Sequence, residues 1–321
     1  APHLRTLTAE SGGIALALHL ASSGEPRLWM PVAALAVWLV LWRVKFQVME
    51  NVAGLLGLLL VGFGVELFLL GPDWGELLRQ AVPPSPPETE HVATYWYYAV
   101  ALFGAAMTPY EVFFFSSGAV EEGWTAKDLA QNRVNVLVGF PLGGLLSVAI
   151  AACAAVVLLP AGIEVSSLSQ IVLPVAEAGG TLLLAVVIVG IVAATFGAAL
   201  ETALSSGYTL AQYLGWSWGK FRRPARAVRF HLTMVVALLL AVAILMTSVD
   251  PVAVTEMSVV FSAVALPLTY VPILLVANDP EYMGEHVNGR VTNALGMVYL
   301  VIVVVAAVAA IPLMIATGAG S

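Results

Sequence analysis

Residues 104–118 read GAAMTPYEVFFFSSG and sit inside an apolar run that opens near Tyr95. Pro109 and Glu111 stand where a membrane helix ordinarily carries neither. Proline removes a backbone donor and clashes with the preceding turn at a cost of roughly 3 kcal/mol, and a carboxylate at bilayer depth costs about as much again. Non-helical backbone at membrane depth is tolerated only where it lines a cavity or is buried in protein. A break at Thr108-Pro109 frees the carbonyls of Ala105 and Ala106 and the amide end of a second half-helix, the way many transporters build a central site. Glu111 adds a fixed negative charge there. The bland alternative is a proline kink with Glu111 hydrogen-bonded for structural reasons, although kinking alone needs no carboxylate.

The rest of the chain frames that stretch as part of a polytopic membrane protein. Of 321 residues, 60% are hydrophobic and 10% charged, against about a quarter charged in soluble domains. Apolar stretches near spanning length lie at 8–22, 28–43, 50–70, 92–118, 134–159, 181–206, 226–248, 253–277 and 291–316, the first two short. These define one transmembrane domain over 1–321, all-α, with about nine spans. Its expected connections are an external loop at 71–91 containing VPPSPPETEH, cytoplasmic loops at 119–133 and 215–229, and a second external loop at 160–180 along the interface.

Alternate loops of a nine-span chain face opposite sides, and cytoplasmic loops are enriched in Lys and Arg. Of the thirteen basic residues, only Arg27 and Arg79 fall opposite the other eleven. This bias makes the chain start cytoplasmic and its end extracytoplasmic, in a membrane expected to be the bacterial inner (plasma) membrane. The net charge of −7 and the lack of a basic patch outside 220–229 give no nucleic-acid partner. The lipid bilayer is the expected environment, with no obligate protein partner inferred.

Cys153 is alone, which excludes an intramolecular disulfide and a cysteine metal cluster. The histidines at 3, 19, 91, 231 and 286 show no helical ligand spacing for zinc. No nucleophile-base constellation is visible, so an enzyme is not expected and no cofactor is called for. The remaining intramembrane carboxylates each have a bland reading. Glu66 and Glu256 lie near external span ends and are expected to reach the headgroups. Glu201, among Thr202, Ser205 and Ser206, is placed to line an inner vestibule, and Glu10 precedes Ser11, Gly12 and Gly13, small residues that allow close helix approach.

These residues carry a resemblance. GAAMTPYEVFFFSSG resembles the sixth helix of the Nramp family of divalent-metal transporters, whose pattern is Gly-Ala-x-x-Met-Pro-His-Asn-Leu-Tyr-Leu-His-Ser. TAESGGIALALHL (8–20) is similar to that family's third helix and VPILLVANDPEYMG (271–284) to the end of its tenth. The resemblance implies the LeuT-type inverted-repeat fold, with the first two helices absent from this chain. The family's first-helix Asp-Pro-Gly-Asn motif has no counterpart here. In the sixth-helix pattern Thr108 stands for the metal-binding Met, Tyr110 for the first His, Glu111 for the Asn and Phe115 for the second His; on the third helix Leu7 replaces a proton-route Asp, while Glu10 retains the following carboxylate.

A thioether favours softer metals, whereas hydroxyl and carboxylate oxygens suit hard cations, and Mg²⁺ is usually held by one or two carboxylates plus retained waters. The pattern is therefore similar to the Nramp-related magnesium transporters. The expected ion contacts are Ala105, Thr108 and Glu111, with Ala106, Pro109, Tyr110, Glu10, Glu201 and Val259 along the pathway. The expected activity is uptake of Mg²⁺, and also Mn²⁺, as transported substrate without proton coupling. Alternatives are a proton-coupled Mn²⁺/Fe²⁺ symporter, an amino-acid or organic-solute carrier of the same fold, and a structural membrane subunit. Glu111 argues against the organic carrier by repelling an anionic substrate group, and a structural subunit would need no broken helix.

Overall fold

The computed structural model describes residues 2–22, 24–44, 46–82, 86, 91–163, 165, 167–247 and 251–318. In chain order the helices are α1 (Pro2–Ser22), α2 (Pro26–Arg43), α3 (Phe46–Gly57), α4 (Val61–Leu70), α5 (Trp74–Ala81), α6 (Val92–Ala106), α7 (Pro109–Glu122), α8 (Leu129–Val157), α9 (Leu168–Ile171), α10 (Leu173–Tyr213), α11 (Val228–Met246), α12 (Pro251–Ala277), α13 (Pro280–Met283) and α14 (Arg290–Thr317). A single 3₁₀ turn, Leu58–Leu60, joins α3 to α4, so the two read as one span.

Among the described residues seven segments are long and apolar enough to cross a bilayer, and the protein is an integral membrane protein. The other two expected spans are α1 and α2. The modest hydropathy of α1 follows from its position, because it packs against α2, α10, α11 and α12. A helix surrounded by protein needs small and polar residues for close approach more than it needs lipid-soluble ones. Thus Leu7, Thr8, Ser11, Ile14, Ala15 and Ala17 are all buried. A Cβ on Gly12 would come within 2.8 Å of Pro251 Cβ, and one on Gly13 within 3.3 Å of Thr195 Cγ2.

Three larger apolar clusters, and a small fourth of Ala15, Met30 and Leu245, hold the bundle. Leu7, Ile14, Val37, Leu204, Phe230 and Leu238 join α1, α2, α10 and α11. Phe63, Leu67, Cys153 and Val187 join α4, α8 and α10. Tyr97, Ala101, Val260, Ala263 and Ala310 fix α6 against α12 and α14. The outer surface of α8 is apolar and exposed, at Leu137, Leu145 and Val148 among others, as lipid contact requires.

The connections differ in part from the sequence reading. α7 runs on to Glu122 and α8 begins at Leu129, so the link expected at 119–133 is short. Much of 160–180 is helical: α9 and the first turns of α10 precede a break at Gly180, whose φ of 62° is a left-handed conformation suited to glycine. In the 71–91 stretch α5 is capped by Asp73, which accepts from the Glu76 amide at 3.0 Å, while most of VPPSPPETEH lies outside the described residues. The 214–227 connection carries only a 3₁₀ turn at Pro224–Arg226.

Candidate functional site

The chain leaves the helix at Met107 (φ −146°, ψ 106°) and Thr108 (φ −102°, ψ 146°), and α7 starts at Pro109. The local sequence dictates this. The proline ring pushes the preceding residue into extended backbone and is itself pre-set for the first helical position. Thr108 is the N-cap and Glu111 the third helical residue, the two ends of a capping box. The Thr108 amide donates to Glu111 Oε2 at 3.2 Å. Pro109 and Glu111, out of place in one long helix, are start signals of a second. The acid also sits where the partial positive charge of a helix N-terminus favours it.

α6 ends against a close neighbour. A Cβ on Gly104 would lie 2.4 Å from the Val259 carbonyl oxygen and 2.9 Å from Ala263 Cβ, so only glycine lets α6 approach α12 here. The last carbonyls of α6 have no intrahelical partner, and Ala105 and Ala106 open onto a cavity of about 1590 Å³. Its wall also carries Glu111, Phe115, Glu121, Glu122, Asp128 and Glu201, with Asn51 of α3 and Asn135 of α8, and among the described residues no Lys or Arg. A cleft lined by one sign of charge concentrates ions of the other.

The predicted residues divide into two groups. Ala105, Ala106, Glu111 and Glu201 share the cavity wall, and Phe115, at the second His position, is there too, edge-on to Trp124 at 5.6 Å between ring centroids. Thr108, Pro109 and Tyr110 are buried at the break. Val259 meets the site through its backbone against Gly104. Glu10 lies behind the break, where its Oε1 accepts from Thr202 Oγ1 at 2.8 Å, and Tyr110, Glu201 and Glu111 are within its electrostatic reach. Thr202, 192 positions away, thus supplies Glu10 with a partner that the sequence does not show. The reading of Glu66 is corrected, since it is fully buried rather than directed to the headgroups. Among the described residues no three His, Cys, Asp or Glu side chains converge as a metal-binding group, so an ion at the break would depend on backbone carbonyls and water beside Glu111.

Other contributors carry no motif. Ser205 Oγ donates to the Tyr110 carbonyl at 2.9 Å, Gln212 Nε2 to Ser117 Oγ at 2.9 Å, and Tyr208 OH to Glu121 Oε2 at 2.5 Å. Glu121 Oε1 also accepts from the Phe221 amide at 2.7 Å. This ladder fixes α7 to α10 and to the loop after it. Met107, the thioether nearest the break, accepts from Tyr299 OH of α14 at 2.9 Å.

Seven spanning helices, one of them broken beside a carboxylate at membrane depth, define a polytopic all-α membrane protein with an interrupted helix, the form that the LeuT-type resemblance implies. The sequence profile of the Natural resistance-associated macrophage protein-like family, Nramp, matches residues 4–312, and the chain belongs to that family. It is 24% identical over 318 residues to a "Divalent metal cation transporter MntH" of Chromohalobacter salexigens, covering 94% of this chain and 69% of the relative. With the protein of the same name from Clostridium acetobutylicum it shares 23% identity over 253 residues, 76% of this chain and 55% of that relative. The chain thus spans little more than half the length of one relative and about two thirds of the other. Its fold is similar to crystal structures of the Eremococcus coleocola manganese transporter. One variant aligns with a TM-score of 0.61 at 19% identity over 95% of this chain and 69% of that one. A complex with an aromatic bis-isothiourea substituted compound gives 0.56 at 20% identity over 95% and 68%.

Proposed function

We propose that the protein moves divalent cations across the bacterial plasma membrane, taking up Mg²⁺, and also Mn²⁺, down the electrochemical gradient without a coupled proton. The observation that carries this reading is the Glu111 carboxylate at the helix break, on an acidic cavity wall with the exposed backbone of Ala105 and Ala106. The ion, partly hydrated, is held by Glu111, the Ala105 carbonyl and Thr108. Hard oxygen donors with retained water match what Mg²⁺ accepts. Family membership and the names of the relatives support divalent cations as the cargo class. The basic-residue count supports a cytoplasmic chain start and about nine spans.

A second reading, proton-coupled Mn²⁺ or Fe²⁺ symport, draws on a specific observation. Glu201 and Glu111 each lie within electrostatic reach of Glu10, and all three of Tyr110, and neighbouring carboxylates are a means of passing a proton. Against it, both histidine positions of the family pattern hold Tyr110 and Phe115, which do not titrate near neutrality. Proteoliposomes with a divalent-ion dye and a pH dye inside separate the two. Uncoupled uptake predicts Mg²⁺ entry at clamped membrane potential with constant internal pH. Acidification that depends on Mg²⁺ or Mn²⁺ entry establishes symport instead.

A further inference from the structure

Away from the cavity, the carboxylate of Glu66 on α4 is fully buried, and among the described residues its oxygens meet no donor other than the Cys153 thiol beside it. Leaving an acid so enclosed costs several kcal/mol unless something meets it. Its neighbour is the chain's single cysteine, Cys153 of α8, also buried. The thiol stands against the Glu66 carboxylate and points at the Phe63 carbonyl oxygen, 3.4 Å from Sγ. A thiol is a weak donor and does not offset the burial of an acid. Leu67, Ala149 and Val187 close the surroundings with apolar atoms.

Three donors of different kinds thus meet between α4 and α8: a sulfur, a backbone carbonyl and a carboxylate. Zinc–sulfur and zinc–oxygen bond lengths at a tetrahedral angle put the two ligand atoms about 3.6 Å apart, close to the 3.4 Å found. Charge balance is favourable too. A divalent ion bound to one thiolate and one carboxylate is neutral as a unit, which lets an apolar enclosure hold it without a net buried charge. The thiolate selects borderline and soft metals over Mg²⁺.

We infer that Cys153, Glu66 and the Phe63 carbonyl form a second metal site, separate from the helix break, that takes thiophilic divalent ions such as Zn²⁺ and Cd²⁺. On binding, the thiol S–H and the carboxyl O–H give up their protons to water as metal–sulfur and metal–oxygen bonds form, with no change of oxidation state. The site does not depend on what the cavity transports.

Cd²⁺ titrated into the purified full chain tests this through the ultraviolet thiolate-to-metal charge-transfer band, which a protein with one cysteine reports without ambiguity. The expected result is a saturable band that Glu111→Gln leaves unchanged and Cys153→Ser abolishes. Glu66→Gln should weaken Cd²⁺ binding at least tenfold, and Glu66→Asp by less. Millimolar Mg²⁺ should fail to displace the band, a readout on wild type that needs no variant to fold. Absence of the band in folded protein, its displacement by Mg²⁺, or equal affinity in folded Glu66→Gln would each overturn the assignment.

Discussion

The Thr108 amide donates to Glu111 Oε2 across 3.2 Å, so the carboxylate on the cavity wall also caps the helix that starts beside it. Cap and charge are separable by substitution, since a neutral amide oxygen still accepts from Thr108. That separation frames the predictions for the break.

Replacing Thr108 with Met supplies a soft donor and removes the N-cap hydroxyl. The Thr108 hydroxyl has no hydrogen-bond partner among the described residues, and the amide that donates to Glu111 is kept, so stability should change little. Selectivity should move toward Cd²⁺ and Mn²⁺ relative to Mg²⁺. Competition uptake in liposomes reads this directly, and an unchanged ion ranking would mean that Thr108 does not face the ion.

Gly104→Ala places a methyl 2.4 Å from the Val259 carbonyl oxygen and 2.9 Å from Ala263 Cβ. The α6–α12 contact has to open, at about 1–3 kcal/mol for overpacking, and the freed carbonyls of Ala105 and Ala106 move with α6. Lower thermal stability and slower uptake are expected together. Wild-type values for both would show that the close approach is not needed.

Tyr208→Phe removes the hydroxyl that Glu121 binds at 2.5 Å, leaving the carboxylate with the Phe221 amide. The loss should amount to about 0.5–1.5 kcal/mol, the net range for one hydrogen bond at an acceptor that is partly exposed and keeps another donor. It should be local, because the ladder ties α7 to α10. Hydrogen exchange should therefore quicken in α7 and the 214–227 loop and stay unchanged in α11 and α2. Uniform quickening would point to general destabilisation instead.

The break was legible in the sequence because its signals are local. Thr108, Pro109 and Glu111 specify a helix start whatever surrounds them. The seven lipid-facing segments were legible for the same reason, since hydropathy reports contact with lipid. α1 was read short because its neighbours are helices rather than lipid, and its buried Thr8 and Ser11 lower the apolar signal. Long-range partners left no local trace: Thr202 for Glu10, Tyr299 for Met107 and Tyr208 for Glu121. Glu66 misled because its place near a span end suggests headgroup contact, whereas packing between α4 and α8 buries it.

Mg²⁺ influx into proteoliposomes by Glu111→Gln, beside wild type at equal reconstitution and matched thermal stability, tests the cation site most directly. The amide keeps the shape and the acceptor for Thr108 while removing the fixed charge, so influx should fall at least tenfold, with Glu111→Asp intermediate. Wild-type influx in folded Glu111→Gln would contradict the assignment of the ion to the broken helix.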